Sequence, residues 1–172
     1  MMIGSKSSFG VELSLNESTS FWPWMFGKLL VWVAGEPLGD TDYESTISDA
    51  RNDCLRWSNN RGKRCDENLL AADKMTAFCS LDGALFGFDH LTRFMPENFR
   101  AIEIASADNF QLEAGDSTDQ CKLYSVEGGE NCRLLYRIMD RAPQEFWVPA
   151  IEFYAVVDAT TETLEAWFAK LR

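Results

Sequence analysis

The segment that most constrains this chain is Glu127-Gly-Gly-Glu130, flanked by the strand-like runs Cys121–Val126 and Asn131–Ile138. Adjacent glycines supply the backbone angles of a tight turn, so the two runs read as an antiparallel hairpin. With Gly128 and Gly129 at the tip, Val126 falls opposite Asn131 and Cys121 opposite Tyr136. One face then carries Cys121, Leu123, Cys132, Leu134, Tyr136 and Ile138. The other mixes Lys122, Asn131, Arg133 and Arg137 with Tyr124, Val126 and Leu135. The same register sets Ser125 against Cys132, which argues against a disulfide inside the hairpin.

Other segments fit around that hairpin. Phe9–Leu15 alternates apolar and polar residues, the period of a half-buried strand. Lys28–Val33 is apolar on both sides and reads as a central strand, ended by a turn over Gly35–Gly39. Ile47, Ala50, Cys54 and Trp57 recur at helical spacing within Glu44–Trp57. A second helical region covers Asp66–Phe86, weakened near Asp73 and Gly83. Ala101–Ala105 and Phe110–Glu113 give shorter strand signals. Glu145–Val148 is a short strand leading into a closing helix, with Pro149 at its first position and a break expected near Thr160–Thr163. These elements define an α+β class: an antiparallel sheet of five to seven strands with helices mainly on one face.

The 172 residues fit one domain, residues 1–172, and no linker-like stretch divides them. Acidic residues outnumber basic ones 27 to 16, for a formal net charge of −11. Such a field disfavours nucleic acid and anionic membranes as partners and favours basic proteins, although acidity also serves solubility. The start, Met1–Gly10, lacks the apolar run of a signal peptide, and the apolar stretch at Phe21–Gly35 is too short to span a bilayer. The five cysteines are odd in number and contain no C-x-x-C, which reads as free thiols in a cytoplasmic protein.

No catalytic constellation emerges. His90 is the single histidine and lacks a nucleophile elbow; it reads as a surface or hydrogen-bonded structural residue. Asp40-Thr-Asp42-Tyr-Glu44 opens like a calcium loop, but Ser45 and Arg51 stand where glycine and glutamate are required. Those acids read instead as favouring the positive end of the following helix, as Asp66-Glu67 does for the next. No glycine-rich phosphate loop, zinc spacing or cofactor motif is present, so neither cofactor nor metal is expected. The basic group Arg56, Arg61, Lys63 and Arg64 reads as a solvated loop.

Binding is better supported than chemistry. The segment Glu103–Glu130 holds seven acids against Lys122 alone. The segment reads equally as a solvated loop rim or as a contact surface; in the second case Asp116, Asp119, Glu127 and Glu130 are the leading candidates for partner contact, with Asp40 and Asp42 second. Phe21-Trp-Pro-Trp24 reads either as packing over the first strand pair, the favoured reading, or as interface anchors.

Met2-Ile-Gly, Phe9-Gly-Val-Glu-Leu, Gly27-Lys-Leu-Leu-Val-Trp-Val-Ala-Gly35 and Pro37-Leu-Gly-Asp40 together resemble the bacterial immunity protein 42 family. The resemblance covers roughly the first forty residues, and the order of later elements agrees in outline. It implies a cytoplasmic protein without a cofactor, encoded beside a polymorphic toxin, that protects the producing cell by binding the toxin's C-terminal domain. No site residues are carried over from it. The expectation is a non-enzymatic immunity protein that occludes a basic toxin domain. A small carboxylate-dependent hydrolase or transferase, or an adaptor, are the alternatives.

Overall fold

The computed structural model describes residues 1–42, 44–113 and 121–172. The expected α+β class with antiparallel pairing is present, but the strands divide between two sheets. The first has the order β1 (Met2–Gly4), β2 (Phe9–Leu15), β3 (Phe26–Val33), β4 (Glu36–Leu38). The two-residue β5 (Ser45–Thr46) pairs with the start of β3, beside Phe26 and Gly27. The second sheet has the order β6 (Cys121–Gly128), β7 (Asn131–Ile138), β8 (Gln144–Pro149).

In the first sheet β2 and β3 pair Phe9 with Val33, Val11 with Val31 and Leu13 with Leu29, and all six side chains are buried. β3 is central, as its composition predicts. Its outer face, with Lys28, Leu30 and Trp32, is bordered by Met1, Lys6, Glu12 and Thr41. There Lys6 lies 4.1 Å over the Trp32 ring, and Glu12 accepts the Trp32 indole N–H at 3.0 Å. A charged ammonium group thus sits against the indole face, a cation–π contact.

Helix α1 (Ile47–Asn59) buries Ile47, Ala50, Cys54 and Trp57, the stripe read from the sequence. Its N-cap is Thr46, and the acid of its first turn is Asp49. Asp40 does not serve the helix: its carboxylate accepts the backbone N–H of Asp42 at 2.8 Å. The second helical region is two helices, α2 (Glu67–Ala71) and α3 (Lys74–Phe86). Asp66 and Asp73 cap them, each accepting two backbone N–H groups. α4 (Ala150–Lys170) runs unbroken, with Pro149 just before its first turn. Thr160, Thr161 and Thr163 do not interrupt it; within the helix their hydroxyls donate to the carbonyls of Val156, Val157 and Ala159.

The hairpin tip lies one residue later than its glycines suggest. Gly128 pairs with Asn131, leaving Gly129 and Glu130 at the turn; Gly129 takes φ +64°. A two-residue hairpin whose first turn residue has positive φ needs glycine there, and Gly129 provides it. Cys121 therefore opposes Ile138, and Glu127 opposes Cys132. Each partner moves by two residues, so every side chain keeps its expected face.

Both hairpin faces are buried, each in a separate core. Leu123, Cys132, Leu134 and Tyr136 join β2, β3, α1 and α4, with Trp57, Phe153, Val157 and Leu164. Tyr124, Val126 and Leu135 join Leu69, Phe78, Leu81 and Leu91 from α2, α3 and the segment after them. Helices thus flank both faces of the second sheet. Ala101–Ala105 is not a strand: Ile102 and Ile104 lean on the second core, and the Ile102 N–H donates to the Ser80 hydroxyl at 3.0 Å. Phe110–Glu113 makes only a short antiparallel contact with β6, through Leu112 N–H to Leu123 O and Ser125 N–H to Phe110 O.

Two stability measurements check this packing. A Cβ on Gly27 would collide with the backbone carbonyl of Ser14 in the paired strand. Gly27→Ala is expected to lower stability by about 2 kcal/mol in chemical denaturation, because backbone cannot rotate away. Hydrogen bonding to Thr76, together with the backbone N–H groups at the start of α3, holds the Asp73 carboxyl below its ordinary 3.8. A lowered folded value means its contribution is full above that ordinary value and fades as pH falls through the folded one. Asp73→Ala should cost about 1 kcal/mol at neutral pH and flatten the acid limb of the stability curve.

Candidate functional site

The candidate acids do not gather at one place. Asp40 and Asp42 are exposed in the loop between β4 and β5. Lys28 donates to the Thr41 carbonyl at 3.1 Å and draws that loop along β3. Glu44, further along, accepts from the Asn16 amide at 3.1 Å. Glu130 is exposed at the hairpin tip. The Gly39 backbone lies beside the Cys121 thiol, at the opposite end of β6. Eight strand residues separate those ends, roughly 24 Å at the usual rise. Asp116 and Asp119 lie outside the described residues.

Glu127 is not a surface acid. Its carboxylate accepts Arg64 Nε–H at 3.0 Å and the Gly62 N–H at 2.7 Å, together with the Tyr154 hydroxyl. Arg64 is fully buried and also donates to the Trp57 carbonyl at 2.9 Å and the Tyr154 oxygen at 2.8 Å. Burial, reinforced by the hydrogen bond to Glu127, pushes the Tyr154 hydroxyl well above its ordinary value. The end of the basic stretch is therefore an interior ion pair, where a solvated loop is expected from the sequence. Its other members do lie at the surface. Arg61 pairs with Asp158 at 2.7 Å and stacks over Tyr154, while Arg56 pairs with Glu113 at 3.1 Å.

A second polar centre surrounds His90. Its Nε2 meets the buried Asp82 carboxylate at 2.7 Å, and Asp82 also accepts the Tyr124 hydroxyl. Arg137 approaches from β7 at 3.8 Å. Burial, with Asp82 alongside, raises the Tyr124 hydroxyl so that it stays protonated. Of the two sequence readings of His90, surface or hydrogen-bonded, the Asp82 contact shows the hydrogen bond. Burial also pushes the Cys54 and Cys132 thiols up to about 12 and Cys79 to about 11, so none of these is a ready thiolate. All five cysteines are free. Among the described residues no group of three or more His, Cys, Asp and Glu side chains is placed to hold a metal ion. Nor is any helix long and apolar enough to cross a membrane.

The aromatic run departs from the favoured sequence reading. Phe21, Trp22 and Trp24 are 60%, 42% and 48% exposed, and only the adjacent Met25 enters the core. Apolar composition alone points inward for these rings; the proline in their midst is the one signal of a surface turn.

The fold is thus two antiparallel sheets, the second a hairpin-based sheet whose two faces join separate cores. A crystal structure of CdiI from Burkholderia dolosa AUO158 has this fold. It superposes with a TM-score of 0.72 at 19% identity, covering 95% of this chain and 99% of that one. No curated protein sequence matches the chain. The profile of immunity protein 42 matches residues 1–162, which places the protein among the toxin-neutralising immunity proteins. The chain belongs to the immunity protein 42 family.

The Glu127 geometry predicts a stability effect. Glu127→Gln leaves the Arg64 charge buried without its counter-ion and should cost about 3–5 kcal/mol in chemical denaturation. A loss below 1 kcal/mol would show that the pair is not the internal tie described.

Proposed function

We propose that this immunity protein neutralises its toxin by direct occlusion, an acidic face docking onto a basic toxin domain and blocking its active site or substrate groove. The reading is non-enzymatic. What carries it is the charge: a net −11 on the chain, with Asp40, Asp42 and Glu130 projecting into solvent. Among the described residues, no ion pair holds these three carboxylates. Asp116 and Asp119 belong to the same proposal on their sequence position. Glu127 does not, since its carboxylate is spent on Arg64. Uncompensated surface acids speed encounter with a basic partner and orient it before contact. They suit a toxin whose own substrate is polyanionic.

Asp40 and Asp42 stand at one end of β6 and Glu130 at the other, so charge reversal at the two ends reports which end faces the toxin. Asp40→Lys with Asp42→Lys, and separately Glu130→Lys, should be compared with the natural chain by stopped-flow association at several ionic strengths. Reversal at the docking end is expected to slow association about tenfold at low salt and to flatten its salt dependence. Unchanged rate and salt dependence for both variants, and for Asp116→Lys with Asp119→Lys, would sink the acidic-face reading.

A further inference from the structure

The loop between β2 and β3 holds three large aromatic side chains in water while its backbone is tied down. Phe21 and Trp24 exchange backbone hydrogen bonds at 2.9 and 2.5 Å across the turn. The Ser20 hydroxyl donates to the Asn16 carbonyl at 2.7 Å and accepts the Phe26 N–H at 3.0 Å. From α1, the Ser48 hydroxyl donates to the Pro23 carbonyl at 3.2 Å and accepts the Met25 N–H at 2.9 Å. The Ile47 N–H donates to the Met25 carbonyl at 2.8 Å, and the Met25 side chain is fully buried. The rings are therefore exposed by a fixed backbone, not by a loose one.

The surroundings are acidic. Glu17 lies in the same loop, and Asp49 follows Ser48 in the first turn of α1; both are exposed. Glu44 is bonded to Asn16 at the base of the loop, and Asp40 and Asp42 lie further along β3. Two neighbouring cations are occupied within the protein. Arg51 pairs with Glu165 at 2.6 Å and stacks over Phe168, and Arg172 stacks over Trp22 at 4.6 Å.

We propose that the Phe21–Trp24 loop is the apolar anchor of the toxin-binding face, seating in an apolar recess that basic side chains ring on the toxin domain. The proposal rests on neutralisation by direct binding. Large aromatic side chains are enriched among the residues that dominate interface energies, and pre-ordering their backbone removes an entropic cost of docking. Charge chooses the occupant. A second copy of this chain would bring Glu17 and Asp49 against the same acids, a like-charge contact, whereas a basic toxin surface complements them.

The test uses this chain and its cognate toxin domain. Phe21→Ala with Trp24→Ala removes two rings and leaves the backbone bonds of the turn in place. Trp22→Ala is made separately, because Trp22 also packs on Phe168 with ring centroids 4.5 Å apart. The double variant should keep the thermal midpoint of the natural chain. It should weaken toxin binding roughly 30-fold or more, through faster dissociation, with unchanged salt dependence of association. Co-expression protection against the toxin should fall in step. Natural affinity in the double variant overturns the anchor. So does a dimer of the natural chain in sedimentation that the double variant abolishes while toxin affinity is kept. Slower association in the charge-reversal variants beside an unchanged aromatic variant removes the anchor alone. The opposite pattern removes the acidic-face reading and keeps the anchor. A natural chain that fails to bind the toxin at all removes both.

Discussion

The β6–β7 hairpin is buried on both faces, and most of the structure follows from that burial. A strand covered on both sides must be apolar on both sides or carry polar groups that find internal partners. Here one face is largely apolar, and the other mixes tyrosine, valine and leucine with arginines. Arg133 answers the requirement by binding Glu145 at 2.6 Å and donating to the carbonyls of Leu69 and Ala72 at the end of α2. A cation suits that helix end, where unpaired carbonyls collect. Glu127 at the tip end takes Arg64, and Tyr124 takes Asp82. Each bond reaches from the hairpin to an element packed against it, so the polar groups locate the helices as well as satisfying themselves.

This arrangement explains what could be read from the sequence. The faces of the hairpin were legible because side-chain alternation survives a two-residue change of partner. The α1 stripe was legible because helical spacing is local. The tip was displaced by one residue because either adjacent glycine can supply a positive φ, and composition does not choose between them. Ile102 and Ile104 gave a strand-like alternation because burial against a core, without a ladder, imposes the same pattern on extended backbone.

The larger departures concern charge and aromaticity, where local sequence is least informative. Arg64 and Glu127 are 63 residues apart, and each reads alone as an ordinary surface residue. Only the fold brings them together, and their partnership takes Glu127 out of the candidate contact set while Asp40, Asp42 and Glu130 stay outside. The converse error befell Phe21, Trp22 and Trp24. Apolar residues are sorted inward by rule of thumb, yet no such rule requires an individual ring to be buried. Hydroxyl and backbone bonds, which composition does not reveal, hold that turn outward.

The edge of the first sheet carries one more consequence. The side of β3 away from β2 is shared by two very short strands, three residues of β4 and two of β5, with the exposed Asp40 and Asp42 after β4. A long uninterrupted edge would template pairing with a neighbouring chain; a short, divided one bordered by carboxylates repels it. Exposed carboxylates such as Asp40 and Asp42 near such an edge disfavour edge-to-edge pairing between chains. Neutralising them would give up part of that protection even where the folded state is untouched.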